Sequence, residues 1–178
     1  MPHVTSSRFG EFSYTEEELI FFPRGIPAFE QNNNWILVGE EDNAIKWLQN
    51  IEDGELAVPV TTPDAVMPDY NAKIPEDELD TVGSKNFADL ALLIVVSIPE
   101  TTPWDLTANL RAPILVNLKS RRAVQVIALN EEYPIRHVVF PEDVRQTMKA
   151  AHLAEQARLA ELEGEPDTAP PGTAEEGS

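Results

Sequence analysis

Between residues 107 and 129 the chain reads TANLRAPILVNLKSRRAVQVIAL. Ile114, Val116 and Leu118 fall on one side of a period-two pattern, with Leu115 and Asn117 on the other. After the polar stretch Lys119-Ser120-Arg121-Arg122, the residues Val124, Val126 and Ala128 alternate with Gln125, Ile127 and Leu129. Two such runs around a short polar loop predict a β-hairpin. Because both faces are largely apolar, the pattern predicts a strand pair covered on two sides, as in a small barrel or sandwich. Pro113 opens the first strand, where its missing N–H costs the ladder least.

The same patterning runs through the first 140 residues. Residues 8–14 read as an early strand with a bend at Gly10. Thr15-Glu16-Glu17-Glu18 carries a Thr-x-x-Glu cap signature, but Pro23 and Gly25 follow so closely that a turn into a short strand at Leu19–Phe22 is expected. Further strands are predicted at 35–38, 46–51 and 56–60, the last two joined by an Asp53-Gly54 hairpin signal. A possible strand at 70–74 leads to Pro75, which suits the first turn of a short helix. The acidic residues Glu76, Asp77, Glu78 and Asp80 favour the start of that helix. Residues 90–98 form a continuous apolar run, predicted to be a central strand, and 106–110 to continue it or pair beside it. Nine or ten short strands at regular spacing predict a mainly all-β barrel or sandwich over residues 1–140.

The composition changes at Pro141. Residues 141–163 are rich in Ala, Leu, Glu and Gln and predict a C-terminal helix. Its stripe of Val144, Met148, Ala151, Leu159 and Leu162 is narrow and interrupted by Glu155. Gly164 is expected to end it. Residues 164–178, with no aliphatic side chain larger than Ala, are expected to be a disordered acidic tail.

Candidate chemistry is sparse. The chain has no cysteine, which removes disulfides, zinc–thiolate sites and thiol nucleophiles. His3, His137 and His152 lack metal-ligand spacing and read as surface or edge residues. There is no nucleophile elbow, no His-Glu-x-x-His and no phosphate-binding glycine loop. Glu40-Glu41-Asp42-Asn43 lacks the spacing of a calcium loop. No metal or cofactor is expected. Lys119, Arg121 and Arg122 read as a polar hairpin tip whose charges deter edge pairing, rather than as an RNA contact. Trp35, Trp47 and Trp104 read as core or rim residues. Asn109, just before a strand, can satisfy turn amides through its side chain.

Charge sharpens the picture. With 31 acidic and 13 basic residues the chain carries −18. Its first 140 residues hold 22 acidic and 10 basic side chains, hence −12, and the remainder −6. That field opposes contact with nucleic acid or an anionic membrane and attracts basic partners, though it also serves solubility. The N-terminus has no basic segment followed by an apolar run, and the longest apolar run is far below the ~20 residues of a membrane span. A cytoplasmic protein is expected.

Several segments resemble the FliW family of flagellar assembly factors. They are Phe21-Phe22-Pro23-Arg24-Gly25-Ile26-Pro27-Ala28-Phe29, Trp47-Leu48-Gln49-Asn50, residues 56–63, and residues 68–76. Asn109-Leu110-Arg111-Ala112-Pro113-Ile114, followed by Gln125-Val126, matches the family's Asn-Leu-x-x-Pro-Ile hallmark. The motif residues are thus Pro23, Gly25, Pro27, Asn109, Pro113 and Gln125. Ala28 departs from the resemblance, since glycine is common there in relatives; a positive φ at that position would strain alanine by roughly 1 kcal/mol.

The resemblance implies a regulatory binding protein without catalytic activity or cofactor. Such proteins bind CsrA, a small dimeric translational repressor on flagellin messenger RNA, and act beside its RNA site. They also bind flagellin, which competes and so limits its own synthesis. An acidic surface around Glu76, Asp77, Glu78 and Asp80, or around Glu52, Asp53 and Glu55, is expected to face the repressor. Two other classes stay open: a flagellin chaperone indifferent to the repressor, and a small β-barrel enzyme using two carboxylates. The enzyme predicts a deep pocket; the regulator predicts an open apolar patch or groove.

Overall fold

A computed structural model describes residues 2–168 of the chain. Two units are distinguished, one of Met1–Ile98 with Leu106–Val139, the other of Pro99–Asp105 with Phe140–Ser178. The first unit is built from strands β1 (His3–Ser6), β2 (Gly10–Ser13), β3 (Leu19–Phe21), β4 (Asn34–Val38), β5 (Lys46–Asn50) and β6 (Ala57–Thr61). Helices α1 (Pro63–Val66) and α2 (Glu76–Val82) follow, then β7 (Leu90–Ser97), β8 (Thr107–Ala108), β9 (Ile114–Asn117), β10 (Ala123–Gln125) and β11 (His137–Val138). The fold is mainly β, as the alternation predicts, with eleven strands among the described residues. Every strand pair is antiparallel.

Strands β1 and β2 form a separate hairpin, while nine strands share one sheet whose main path runs β10-β9-β7-β6-β5-β4-β3. The ends of that path meet. Phe21, at the end of β3, bridges Arg122 in parallel just before β10, and its N–H donates to the Arg121 carbonyl at 2.8 Å. The sheet is therefore closed into a barrel at one seam.

The predicted hairpin carries that seam. Ala123 pairs with Val116, Val124 with Leu115 and Gln125 with Ile114. Ile114, Val116 and Ala123 face the barrel interior with Ile20, Phe22, Trp35, Leu48 and Val60. Leu115, Val124 and Val126 face the other way and pack under Leu79 and Val82 of α2. Both faces are covered here, so the two-sided apolar pattern is explained. Asn117 ends β9: its Oδ1 accepts from the N–H groups of Lys119 and Ser120, and its Nδ2 donates to the Val82 carbonyl at 2.8 Å.

The tip residues act differently from the expectation. Rather than deterring pairing, Arg121 makes it, donating from Nη2 to the Glu18 carbonyl at 3.1 Å and from Nε to that of Leu19 at 3.4 Å. Its own backbone adopts φ 64°. Lys119 meets Asp89 at 3.5 Å and Arg122 lies over the Phe21 ring at 5.8 Å.

Other local expectations resolve by hydrogen bonding. Glu18 closes a capping box with Thr15, giving a single 3-10 turn before β3, so cap and strand both occur. The early strand begins at Gly10 instead of Arg8, because Ser6 Oγ accepts from the amides of Arg8 and Phe9 and turns the chain. Residues 70–74 are not a strand. The Asn130 side chain accepts from Lys73 N and donates to the Asn71 carbonyl, replacing most of a ladder, and among the described residues Leu129 N to Lys73 O is the one backbone bond that ties this stretch to a neighbouring segment. Tyr70 stacks on Tyr133 at 4.8 Å and donates to the Leu110 carbonyl at 2.7 Å. Gln49 and Asn50 are buried and polar. Gln49 accepts from Ser6 Oγ, while Asn50 Oδ1 accepts from Glu52 N and Asp53 N, so the pair organises the turn into β6.

In the second unit, α3 spans Glu142–Thr168. Its end lies beyond Gly164, since one helical glycine costs only about 1 kcal/mol relative to alanine. The rest of the expected disordered tail lies outside the described residues. Val144, Leu153, Leu159 and Leu162 are exposed. Arg145 pairs with Asp105 at 3.2 Å, and His152 tilts against Trp104 at 5.3 Å.

Arg121 gives a direct test of the seam. Arg121→Ala removes two bonds to carbonyls and keeps a strained φ, so urea unfolding should show a loss of about 1–2 kcal/mol. Arg121→Gly, which relieves the strain, should be the more stable of the two variants.

Candidate functional site

The motif residues converge at one end of the barrel, where three segments meet. The first is the loop after β3. Phe22 and Ile26 are buried in the barrel core and Phe29 packs against it. Between them Ile26-Pro27-Ala28-Phe29 turns sharply, with Phe29 N donating to the Ile26 carbonyl at 2.6 Å. Pro27 is at the second position and Ala28 has φ 79°, the geometry of a type II turn that favours Pro then Gly. Gly25 has φ 67°, and a Cβ there would lie 2.5 Å from the Glu30 backbone. No other residue fits. Pro23 is half-buried at the start of this loop.

The second segment is the turn into β9. Asn109 Oδ1 accepts from Arg111 N and Ala112 N, both at 3.1 Å. The expected turn-satisfying role is what the side chain performs. Pro113, buried, has no donor to lose but offers its carbonyl to Val126 N at 2.9 Å. The third segment continues β10, and Gln125 Nε2 donates to the Ala112 carbonyl at 2.9 Å, tying it to the second.

Two grooves flank Gln125. One, ≈ 250 Å³, is lined by Pro27, Asn109, Arg111, Ala112, Ile127 and Ile135 as well as Gln125. The other, ≈ 240 Å³, lies between the Arg24–Glu30 loop, Glu78 and residues 124–127. The face of β10 that begins inside the barrel at Ala123 emerges here past the rim. Ile127 is 62% exposed, Leu129 61% and Ile135 63%. The two-sided covering predicted for the hairpin therefore stops at Gln125, because the barrel is shorter than the strand that continues it. Alternation shows that Ile127 and Leu129 are apolar; only the closure of the barrel shows that no described residue covers them.

The two acidic groups lie on different elements, one on α2 and the other on the turn between β5 and β6. Glu76, Asp77 and Asp80 are exposed on α2, and Asp80 lies 3.9 Å from Lys85. Glu78 is paired with Arg24 at 2.5 Å and lines the second groove. Glu52 and Asp53 are occupied structurally: Glu52 Oε1 accepts from Asn33 N at 2.9 Å and Asp53 Oδ1 from Glu55 N at 3.0 Å. Glu55 is exposed beside Arg8. Sequence reasoning did not single out Arg24, Glu30, Ile127 or Ile135. A larger apolar groove of ≈ 520 Å³ lies elsewhere, bordered by Tyr70, Ile74, Leu92 and the exposed Phe87. Among the described residues no group of three His, Cys, Asp or Glu could hold a metal, and no helix is long and apolar enough to cross a membrane.

Comparison with known proteins gives one answer. The FliW protein family model matches residues 3–139. The flagellar assembly factor FliW of Caldanaerobacter subterraneus subsp. tengcongensis is 37% identical over 141 residues, covering 78% of this chain and 93% of that one. The flagellar assembly factor FliW of Thermotoga maritima is 36% identical over 140 residues, with 78% and 94% covered. The crystal structure of the flagellar assembly factor FliW is similar with a TM-score of 0.73 at 28% identity, over 79% of this chain and 99% of that chain.

The turn at Ala28 yields a stability prediction. Ala28→Gly should raise stability by about 1 kcal/mol, moving Tm upward by roughly 2–4 °C in thermal unfolding. An unchanged or lowered Tm would mean the left-handed conformation costs alanine nothing here.

Proposed function

This chain belongs to the FliW family of flagellar assembly factors, a family of non-enzymatic proteins, and on that premise we propose that it is a partner-switching regulator of flagellin synthesis. In this reading it works in the cytoplasm, binds a CsrA-type RNA-binding repressor, and thereby frees flagellin messenger RNA for translation. Flagellin competes for it and returns the repressor to the message. The switch requires only that the two partners exclude or weaken one another, without a cofactor or a covalent step. The body of residues 1–140 carries the partner sites; the helix and tail beyond it are appendages.

The observation that carries the reading is the uncovered apolar rim around Gln125. Ile127, Leu129 and Ile135 are each more than half exposed, beside open grooves lined by the motif residues Pro27 and Asn109. Apolar side chains clustered in this way mark a protein-binding surface. The chain's net charge of −18 favours a basic partner and disfavours direct contact with RNA. Long-range attraction of this kind acts on the association rate and its salt dependence more than on final affinity.

The test is a titration of a purified repressor–RNA complex, with RNA release followed directly. Adding this protein should release RNA, and adding flagellin should restore the complex. Failure to release RNA at saturating protein would overturn the repressor half of the reading; release that flagellin leaves unaffected would overturn the competition.

The acidic clusters supply a second measurement. Reversing the unengaged carboxylates, Glu55, Glu76 and Asp77, to lysine should slow association with the repressor about tenfold at low salt, with the difference shrinking as salt rises. An unchanged rate at low salt would remove these clusters from the contact.

A further inference from the structure

The barrel seam closes at Phe21 and Arg122 and then opens. Beyond Phe21 the β3 chain leaves its partner: Phe22 N donates to the Asn33 carbonyl on the β4 side, and Gly25 turns the chain away. The chain after β10 stays beside the segment that leads into β9. Val126 N donates to Pro113 O at 2.9 Å and Ala128 N to Arg111 O at 2.8 Å, so these even-numbered residues face the segment leading into β9. In an antiparallel ladder the alternate residues, Gln125 and Ile127, must then point their N–H and C=O groups away from it. Among the described residues those four backbone groups have no hydrogen-bond partner. Own-chain pairing resumes only where Leu129 N meets the Lys73 carbonyl at 2.8 Å.

This gap faces the ≈ 240 Å³ groove between the Arg24–Glu30 loop and residues 124–127. Nothing guards it. The edge has no proline or lysine from Gln125 to Leu129, and Ile127 beside it is 62% exposed. Natural sheets blunt such edges unless another chain is to use them. Between the bridge at Arg122 and the bond at Leu129 the chain spans on the order of 23 Å, at roughly 3.3 Å per residue. A guest of about four extended residues covers its unpaired Gln125–Ile127 part.

We infer that the open β10 edge at Gln125–Ile127 is a strand-addition site that takes an extended, basic and aliphatic segment of another protein into the seam. The inference rests on the binding reading above and identifies the contact within it. Backbone pairing supplies the fit, and Ile127 with Pro27 offers an apolar contact to an aliphatic side chain. The charge of the guest follows from the walls. Glu30 and Glu78 line the groove against one cation, Arg24, which Glu78 already pairs at 2.5 Å. A second copy of this chain is disfavoured as guest, since each copy brings −18 and the same two carboxylates.

Proline at residue 127 separates the edge from the side chain. It removes an N–H that faces the groove while leaving both bonds to β9 intact, the one arrangement in which an edge strand tolerates proline. With the full chain and the purified RNA-binding repressor, Ile127→Pro should weaken binding at least tenfold. Ile127→Ala, which keeps the donor, should weaken it about threefold. Hydrogen exchange on the wild-type complex gives an independent readout: the Gln125 and Ile127 amides should gain protection. Ile127→Pro binding within twofold of wild type, or those amides exchanging as fast in the complex as free, overturns the strand-addition site while leaving the partner-switching function standing. Wild type that does not bind the repressor overturns both. Concentration-dependent dimerisation of the protein alone, lost in Ile127→Pro, would make a second copy the guest and overturn the inference as stated.

Discussion

A sheet that curls into a barrel must bring its first and last strands together, and every end-strand backbone group that misses its partner must find water, a side chain or another chain. Here the meeting is narrow. One parallel bridge, Phe21 with Arg122, joins β3 to the approach of β10, and Arg121 reinforces it by donating to two carbonyls of the Glu18-Leu19 corner. The interior that this closure seals contains Trp35, Phe22 and Leu48 with no solvent exposure. Burying a side chain of that size contributes on the order of 2–3 kcal/mol. The core therefore depends on a contact that spans very few residues, and the strands beyond it diverge.

That divergence also sets where function can reside. If β3 followed β10 further, Gln125 and Ile127 would be paired and the motif loop could not leave the barrel wall. Instead Gly25, at φ 67° and too close to the Glu30 backbone to carry a Cβ, sends the chain outward. The type II turn at Pro27-Ala28 brings it back, with Ile26 and Phe29 as anchors in the core. The exposed apolar rim and the groove beside it are products of that one detour. The alanine at φ 79° is a cost that a glycine would lower, yet the turn holds because both neighbours are tied into the interior.

Much of this was legible in the sequence, wherever local pattern and tertiary demand coincide. The 114–129 hairpin, the central apolar strand, the cap at Thr15 and the amide role of Asn109 all depend on residues close in the chain. What could not be read depends on distant partners. Residues 70–74 resemble a strand, but the Asn130 side chain takes over their backbone groups. Arg121 resembles part of a solvated tip, but it fastens segments about a hundred positions apart in sequence. Glu52 and Asp53 resemble a free acidic surface, but backbone amides engage both. Composition gives the number of carboxylates and leaves open which of them the fold has already used.

The motif residues divide along the same line. Pro23, Gly25, Pro27, Asn109 and Pro113 are explained by turns and strand starts, without reference to any partner. Gln125 joins two segments through the Ala112 carbonyl. Their common effect is to hold a rim of aliphatic side chains in place that they do not themselves form. The short motif and the exposed apolar rim are then separate things that share a location: the first fixes backbone, the second is made of Ile127, Leu129 and Ile135. Such a division leaves the side chains of the rim free to differ in size and shape while the turns beneath them keep the same geometry and the barrel's closure is undisturbed.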